Sequence, residues 1–315
     1  MESIPEERLW RTLDNLCPGG VAQISGYRGV GLASPLYQVC DVDLLKRVLA
    51  QAEAWDGAAE TGFKKVAGVL SDDRQLADLL ARYADNPDDV LRRTFTLIGD
   101  SGAAWTGNAV DGLFRAGDEF GIAVAETIAQ NPAYADDVVA RTFEIFDSSV
   151  GWQPNRFSRL PEVLQRHGAS SVLAGRIGNL KNVDGIDKLV FDLGAEAGTT
   201  KEVGALFQLE YAASVRSGRI SKVSDIIDGQ DAADILLDNS SIVVDTKRYN
   251  WPSYNPFTLE MELTGDDGLL KQVERFKRLY PNARIEYVFA SAFGPVPELI
   301  REGLKGVDVI VKEYP

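Results

Sequence analysis

Apolar residues recur at three- and four-residue spacing through the first 200 positions, broken by short runs of Gly, Pro and Asp. Leu44, Leu45, Val48 and Leu49 show the pattern, as do Leu76, Leu79 and Leu80. That period lays an apolar stripe along a helix, so this part is predicted to be helical throughout. Near Thr199 the texture changes. Lys201 to Val215 keeps the helical period, but three short apolar segments follow: Lys222 to Ile227, Ala233 to Leu237 and Ser241 to Lys247. Their length and β-branched content predict strands, and Asp238-Asn239-Ser240 predicts a hairpin turn between the last two. A helix is expected from Asp266 to Leu279, ended by Tyr280-Pro281-Asn282, then a strand over Arg284 to Ala290. A short helix over Pro297 to Gly303 and a strand over Val307 to Val311 complete the order α-β-β-β-α-β-α-β. That order implies a mixed sheet flanked by helices, and the chain as a whole reads as α+β.

The helical part repeats itself. Asp88-Asp89-Val90-Leu91-Arg92-Arg93-Thr94-Phe95 corresponds to Asp136-Asp137-Val138-Val139-Ala140-Arg141-Thr142-Phe143, a period of about 48 residues. A weaker copy begins at Asp41, Trp55, Trp105 and Trp152 recur at nearly the same interval, and Asn86-Pro87 and Asn131-Pro132 read as breaks. Two-helix units of roughly 40 to 47 residues that bury their faces by stacking build HEAT and armadillo arrays. Residues 1–198 are therefore expected to form an all-α, HEAT-like repeat domain, and residues 199–315 a separate α/β domain.

Composition narrows the chemistry. With 315 residues, 45% of them hydrophobic, the chain can bury two modest cores. It has no apolar run near the roughly 20 residues that span a bilayer, and Met1 to Pro18 is charged and amphipathic, so no membrane association and a cytoplasmic location are expected. Cys17 and Cys40 have no metal-ligand spacing and suggest neither a disulfide framework nor a zinc site. The single histidine, His167, leaves mechanisms built on a His pair without material, which turns attention to carboxylates and a metal. A net charge of -14 disfavours phosphate binding, but residues 201 to 315 hold 14 Lys and Arg against 18 Asp and Glu, so most of the excess lies earlier. Gly29-Val30-Gly31 has no third glycine in register and no following lysine, and reads as a turn.

Asp234 stands inside one apolar strand and Asp245 ends another, so both carboxylates are expected on rigid, partly buried positions. Burying anions is costly, and a divalent cation offsets that cost. Oxygen ligands from two or three carboxylates plus a backbone carbonyl suit Mg²⁺, with Mn²⁺ as a substitute, and Thr246 is counted among the metal-binding positions. Lys247, two residues beyond Asp245, points to the same face of its strand and sets an ammonium beside the metal. Asp231 is a rival for Asp234, expected instead to cap the turn before a strand that starts near Ala232.

Asp234, then Asp245-Thr246-Lys247 after an apolar hairpin, with Glu210 on the preceding helix, resembles the PD-(D/E)XK nuclease superfamily of restriction endonucleases, Holliday junction resolvases and RecB-type nucleases. The likeness covers about 110 residues. It implies a restriction-endonuclease-like fold, metal binding by Asp234 and Asp245, completion of the metal shell by Glu210, and catalytic roles for these three acids and Lys247. Gln272 with Phe276 is similar to the Q-x-x-x-Y motif of RecB-like members, which implies that Gln272 supports the core and the DNA. Two departures are visible: Ala233 stands where a proline precedes the first aspartate, and Phe276 replaces the tyrosine. Lys271, Arg275, Lys277, Arg278 and Arg248 are candidate phosphate contacts, and Tyr249, Trp251 and Tyr254 a candidate base-stacking loop or a piece of core. The expectation is Mg²⁺-dependent hydrolysis of nucleic acid, DNA ahead of RNA, with the helical domain recognising target or protein partner. The alternatives are a helical scaffold carrying a degenerate nuclease-like domain, and a toxin-type RNase.

Overall fold

A computed structural model describes residues 55–70, 73–84, 89–146, 151–167, 170–195 and 198–315. Cys17, Cys40, Gly29 to Gly31, the repeat copy at Asp41, the Leu44 to Leu49 stripe and Asn86-Pro87 lie outside the described residues. The chain forms two compact units, Met1–Asp147 and Ser148–Pro315. Among the described residues no helix is long and apolar enough to cross a membrane.

The described part of the first unit is helical: α1 (Gly57–Val69), α2 (Asp73–Tyr83), α3 (Val90–Asp100), α4 (Gly107–Ala116), a π-turn at Gly117–Gly121, α5 (Ile122–Ala129) and α6 (Asp136–Phe146). Asp56 and Thr106 cap α1 and α4 by accepting from the amides of Ala59 and Ala109. α1 packs on α3 at backbone distance, and two glycines make this feasible. A Cβ at Gly62 would stand 1.8 Å from the Phe95 carbonyl oxygen, and one at Gly99 would stand 1.9 Å from that of Ala58. The repeated octapeptides start equivalent helices: Val90, Leu91, Thr94 and Phe95 of α3, like Val138, Val139, Thr142 and Phe143 of α6, are all buried. Trp55 meets Phe95 edge-on at 5.1 Å, and Trp105 stacks on Phe143 at 6.3 Å. Among the described residues, Trp55 and Trp105 are each followed by three α-helices, and Trp152 by four before Thr199, where the spacing suggested two.

The second unit opens with α7 (Pro154–Phe157), α8 (Leu160–Arg166), α9 (Ser171–Leu180) and α10 (Ile186–Leu193), then α11 (Thr200–Ser214). α10 packs on α11 and on the first strand, so the compact unit begins at Ser148, well ahead of the boundary at residue 199. The sheet comprises β1 (Ile220–Ile227), β2 (Gln230–Leu237), β3 (Ile242–Lys247), β4 (Arg284–Ala290) and β5 (Val309–Tyr314), in spatial order 1-2-3-4-5. β1, β2 and β3 run antiparallel, whereas β3, β4 and β5 are parallel, so the sheet is mixed. The β1–β2 turn places Asp228 and Gly229 at φ 53° and 78°, and the β2–β3 turn holds Asp238, Asn239 and Ser240 at 50°, 58° and 65°. Two helices, α12 (Pro256–Thr264) and α13 (Leu269–Leu279), join β3 to β4, and α14 (Glu298–Lys305) joins β4 to β5. Leu263, Val273, Phe276, Ile300 and Leu304 of these helices pack with Val243, Ile285, Tyr287 and Phe289 of the sheet. The outer edge of β1 is covered too: the Val223 amide donates to the Asp184 carbonyl at 2.9 Å, and Gly185, at φ 83°, lets the backbones meet.

α12 was not expected, and its sequence explains why. Phe257-Thr258-Leu259-Glu260-Met261-Glu262-Leu263 alternates apolar and polar residues strictly, which is the pattern of a strand. Wound at about 100° per residue, the four apolar side chains part into two pairs on opposite sides. Leu263 is buried and Leu259 half-buried, whereas Phe257 and Met261 are 70% and 52% exposed.

Candidate active site

The β2–β3 ladder pairs Leu237 with Ile242, Leu236 with Val243 and Ile235 with Val244. One step further Asp234 comes opposite Asp245, and there the strands part. The Asp234 carboxylate fills the gap: its Oδ2 accepts from the Thr246 amide at 2.7 Å and from the Thr246 hydroxyl at 2.6 Å. A side chain thus replaces the backbone acceptor that the ladder would have supplied. On the other side, Gln208 of α11 donates its amide to the Asp234 carbonyl at 2.6 Å and to the Ser224 hydroxyl at 3.0 Å. Asp234 is therefore held at both backbone and carboxylate.

Asp245 and Lys247 share one face of β3. Asp245 is 4% exposed, with its Oδ2 2.9 Å from the Lys247 ammonium. The Lys247 ammonium compensates the charge of this buried oxygen at that distance, although the contact falls short of a well-directed hydrogen bond. Burial, and then the charge of Asp245, push the Asp234 carboxyl up to about 7. Burial opposes the charge of Lys247, but Asp245 and Asp234 outweigh it and hold the ammonium above its ordinary value.

These groups open into a cleft of about 210 Å³ that Gln272 and Arg275 of α13 also line. Gln272 donates to the Asp267 carbonyl at 3.0 Å and accepts from the Tyr287 hydroxyl at 3.4 Å. Tyr287 is fully buried on β4, opposite Asp245. The hydroxyl beside the glutamine thus comes from the sheet, while Phe276 is core. The other cleft carboxylates are taken up by cations. Asp192 pairs with Lys188 and, at 3.0 Å, with Lys201, although its Oδ1, like Asp245 Oδ2, is buried without a hydrogen-bond partner among the described residues; Asp225 pairs with Lys222 at 3.0 Å and accepts from Tyr280; Asp231 lies 3.5 Å from Lys188. Asp234 and Asp245 share one lysine at the cleft floor, and their mutual repulsion favours protonation of Asp234.

Glu210 is placed elsewhere. It pairs with Arg176 at 2.9 Å and does not line the cleft, whereas Gln208, two residues earlier and about 200° around the same helix, does. A neutral glutamine on a helix whose rotation is unknown carries no sequence signal, and Gln208 was missed for that reason. Asp231 lies inside β2, which begins at Gln230, and so does not cap the turn. Trp251 is 5% exposed and packs on Tyr249 at 4.7 Å and Phe289 at 5.6 Å, so Trp251 belongs to the core, whereas Tyr249 and Tyr254 are half-buried against it. His167 lies 3.5 Å from Glu202, outside the cleft. Of the candidate cations, Arg275 lines the cleft, Lys271 pairs with Glu274 at 3.0 Å, Lys277 donates to the Val307 carbonyl at 2.8 Å, and Arg248 stands over the Phe293 ring at 5.0 Å.

Among the described residues no three His, Cys, Asp or Glu side chains converge on one metal position. Asp234 and Asp245 line the same cleft and interact electrostatically, and their carboxylate oxygens are the kind of hard donor that a small divalent cation takes. The residues present fit such an ion with water supplying the rest of its shell. No family model, curated protein or solved structure matches the chain.

Proposed function

We propose that the Ser148–Pro315 unit is a Mg²⁺-dependent nuclease of the PD-(D/E)XK type that hydrolyses phosphodiester bonds at the Asp234–Asp245–Lys247 floor of the cleft. The observation that carries this reading is the pair of buried carboxylates at the cleft floor, Asp245 beside Lys247 and a clamped Asp234 that interacts with both. Two interacting buried carboxylates that share one lysine are costly to the fold alone, and a bound cation would offset that cost. Asp234 and Asp245 would hold the ion, with the Thr246 backbone carbonyl as a third donor; Mn²⁺ would serve in its place. When bound, the ion supplies Lewis-acid charge to the attacked phosphate. Lys247 orients the attacking water and offsets charge that builds on the phosphate oxygens. The water oxygen bonds to phosphorus, the bond to the leaving oxygen breaks, and that oxygen takes up a proton. Gln208 fixes the β2 backbone at Asp234, and Gln272 borders the site.

DNA is placed ahead of RNA on the resemblance alone. The helices of Met1–Asp147 are read as HEAT-like repeats that contact a protein partner, since the strongly acidic part of the chain suits protein better than nucleic acid. One observation favours a second reading, a scaffold with a degenerate site: Glu210, the acid that the resemblance assigns to the metal shell, is engaged by Arg176. The test is cleavage of labelled single-stranded DNA, duplex DNA, branched DNA and tRNA by the wild type and Lys247→Ala, with Mg²⁺, Mn²⁺ or EDTA. Cation-dependent cutting that Lys247→Ala abolishes supports the nuclease and names its substrate; no cutting of any substrate moves the conclusion to the scaffold.

A further inference from the structure

α12 carries a surface that the catalytic reading does not use. Its strand-like alternation leaves Phe257 and Met261, one helical turn apart, on the side away from the core, 70% and 52% exposed. A large side chain so exposed costs solubility and adds nothing to packing, and two in register make a contiguous apolar strip. Beside the strip lies a groove of about 700 Å³, with Tyr254 and Met261 among its apolar lining and Glu262, Asp266 and Asp267 among its polar lining. Among the described residues no basic side chain lines it. The sequence shows the same bias: from Tyr249 to Leu270 there is no Lys or Arg, while Glu260, Glu262, Asp266 and Asp267 all fall there. Of these, Glu262 accepts from the Tyr249 hydroxyl, and Asp266 and Asp267 are exposed.

From this charge and shape we infer that the α12 groove docks a cationic, amphipathic helical segment of a partner protein. Apolar side chains of that segment cover Phe257 and Met261 and enter the groove over Tyr254, and its Lys or Arg residues meet Glu262, Asp266 and Asp267. Nucleic acid is disfavoured in the groove because its phosphates would face Glu262, Asp266 and Asp267 there, while Lys271, Arg275 and Arg278 line a separate pocket that Asp266 and Asp267 also border. A second copy of the chain, net charge -14, would bring a predominantly acidic surface to an acidic groove. Helix-in-groove docking requires an apolar stripe flanked by complementary charge, and this surface offers both. The inference does not depend on the catalytic reading, since none of the groove residues lines the cleft.

The test uses the full chain and two labelled peptides of identical Leu/Lys composition, one with leucines at three- and four-residue spacing and one scrambled, followed by fluorescence anisotropy. The ordered peptide is expected to bind with salt-sensitive affinity and the scrambled one at least tenfold more weakly. Phe257→Ser/Met261→Ser is expected to lose about tenfold or more in affinity, the scale of two apolar contacts. Asp266→Asn/Asp267→Asn should weaken binding severalfold and flatten its salt dependence. All four positions are exposed, and unchanged melting confirms that the variants fold. Equal binding of ordered and scrambled peptides, or of wild type and Phe257→Ser/Met261→Ser, overturns the proposal. So does a labelled DNA duplex whose binding falls in that variant, or a wild-type dimer in sedimentation that the variant lacks.

Discussion

Glu286 and Asp245 lie on neighbouring strands, 1% and 4% exposed, and face opposite sides of one sheet. Glu286 is paired twice: Arg284 donates to one oxygen at 2.7 Å and Lys312 to the other. Asp245 has Lys247 at ion-pair distance, a second carboxylate across from it, and one oxygen with no hydrogen-bond partner among the described residues. The same residue class at the same depth is thus closed on one face and left open on the other. The Met1–Asp147 unit holds both conditions: Thr142 donates to the Val138 carbonyl and Lys65 bonds the carbonyls of Ile98, Gly99 and Ser101, whereas the buried Trp55 Nε1, Thr94 Oγ1 and Trp105 Nε1 have no hydrogen-bond partner among the described residues. Neutral donors are left unpartnered elsewhere in the fold, so what sets the cleft apart is its charge: two buried carboxylates, Asp234 and Asp245, interact beside one lysine.

The comparison breaks most readily at Lys247. Lys247→Ala should lower the rate of Mg²⁺-dependent cleavage by about a hundredfold or more, measured at saturating substrate, because it removes charge stabilisation at the attacked phosphate. The next largest effect is on packing in the first unit. Gly62→Ala drives a methyl into the Phe95 carbonyl, and a cost of about 3 kcal/mol in urea unfolding is expected, with no change in the cleavage rate per folded molecule. On the closed face of the sheet, Glu286→Gln should destabilise by about 1–3 kcal/mol, since it leaves the charges of Arg284 and Lys312 without their carboxylate.

The open face should respond with the opposite sign. Asp234 has its carboxyl raised from 3.8 to about 7 by burial and by Asp245. A folded value above the unfolded one means that its contribution is present below about pH 4 and is lost as pH rises through 7. In EDTA the wild type should therefore lose stability across that window, while Asp234→Asn should lose less and melt higher at pH 7.5, read by calorimetry. The smallest effects sharpen the site's membership. Gln208→Leu should slow cleavage with little change in melting temperature, whereas Glu210→Gln, which weakens a half-exposed pair with Arg176, should change stability by less than about 0.5 kcal/mol and leave the rate alone.

Much of the sheet was legible in the chain because its strands are short, apolar and bounded by turn residues. Period two on β3 was enough to place Asp245 and Lys247 on one face, and the Asp238-Asn239-Ser240 turn was enough to bring Asp234 alongside. What could not be read depended on rotation and on distant partners. Glu210 and Gln208 are equally plausible from spacing, and only the docking of α11 decides which one meets β2. α12 alternates like a strand because two of its apolar residues serve the core and two do not. The Tyr287 hydroxyl that meets Gln272 lies on a strand after the motif helix, where no local pattern points to it. The extent of the second unit was hidden for a similar reason: α10 has the period of the preceding helices, yet it packs on β1.

The central claim is that the open carboxylates at Asp234 and Asp245 are kept for a divalent cation, and calorimetric melting at constant ionic strength tests it most directly. With Mg²⁺ titrated against KCl, the wild type should show a saturable rise in melting temperature that Asp234→Asn and Asp245→Asn lack. No rise in the wild type, or the same rise in all three proteins, would contradict it.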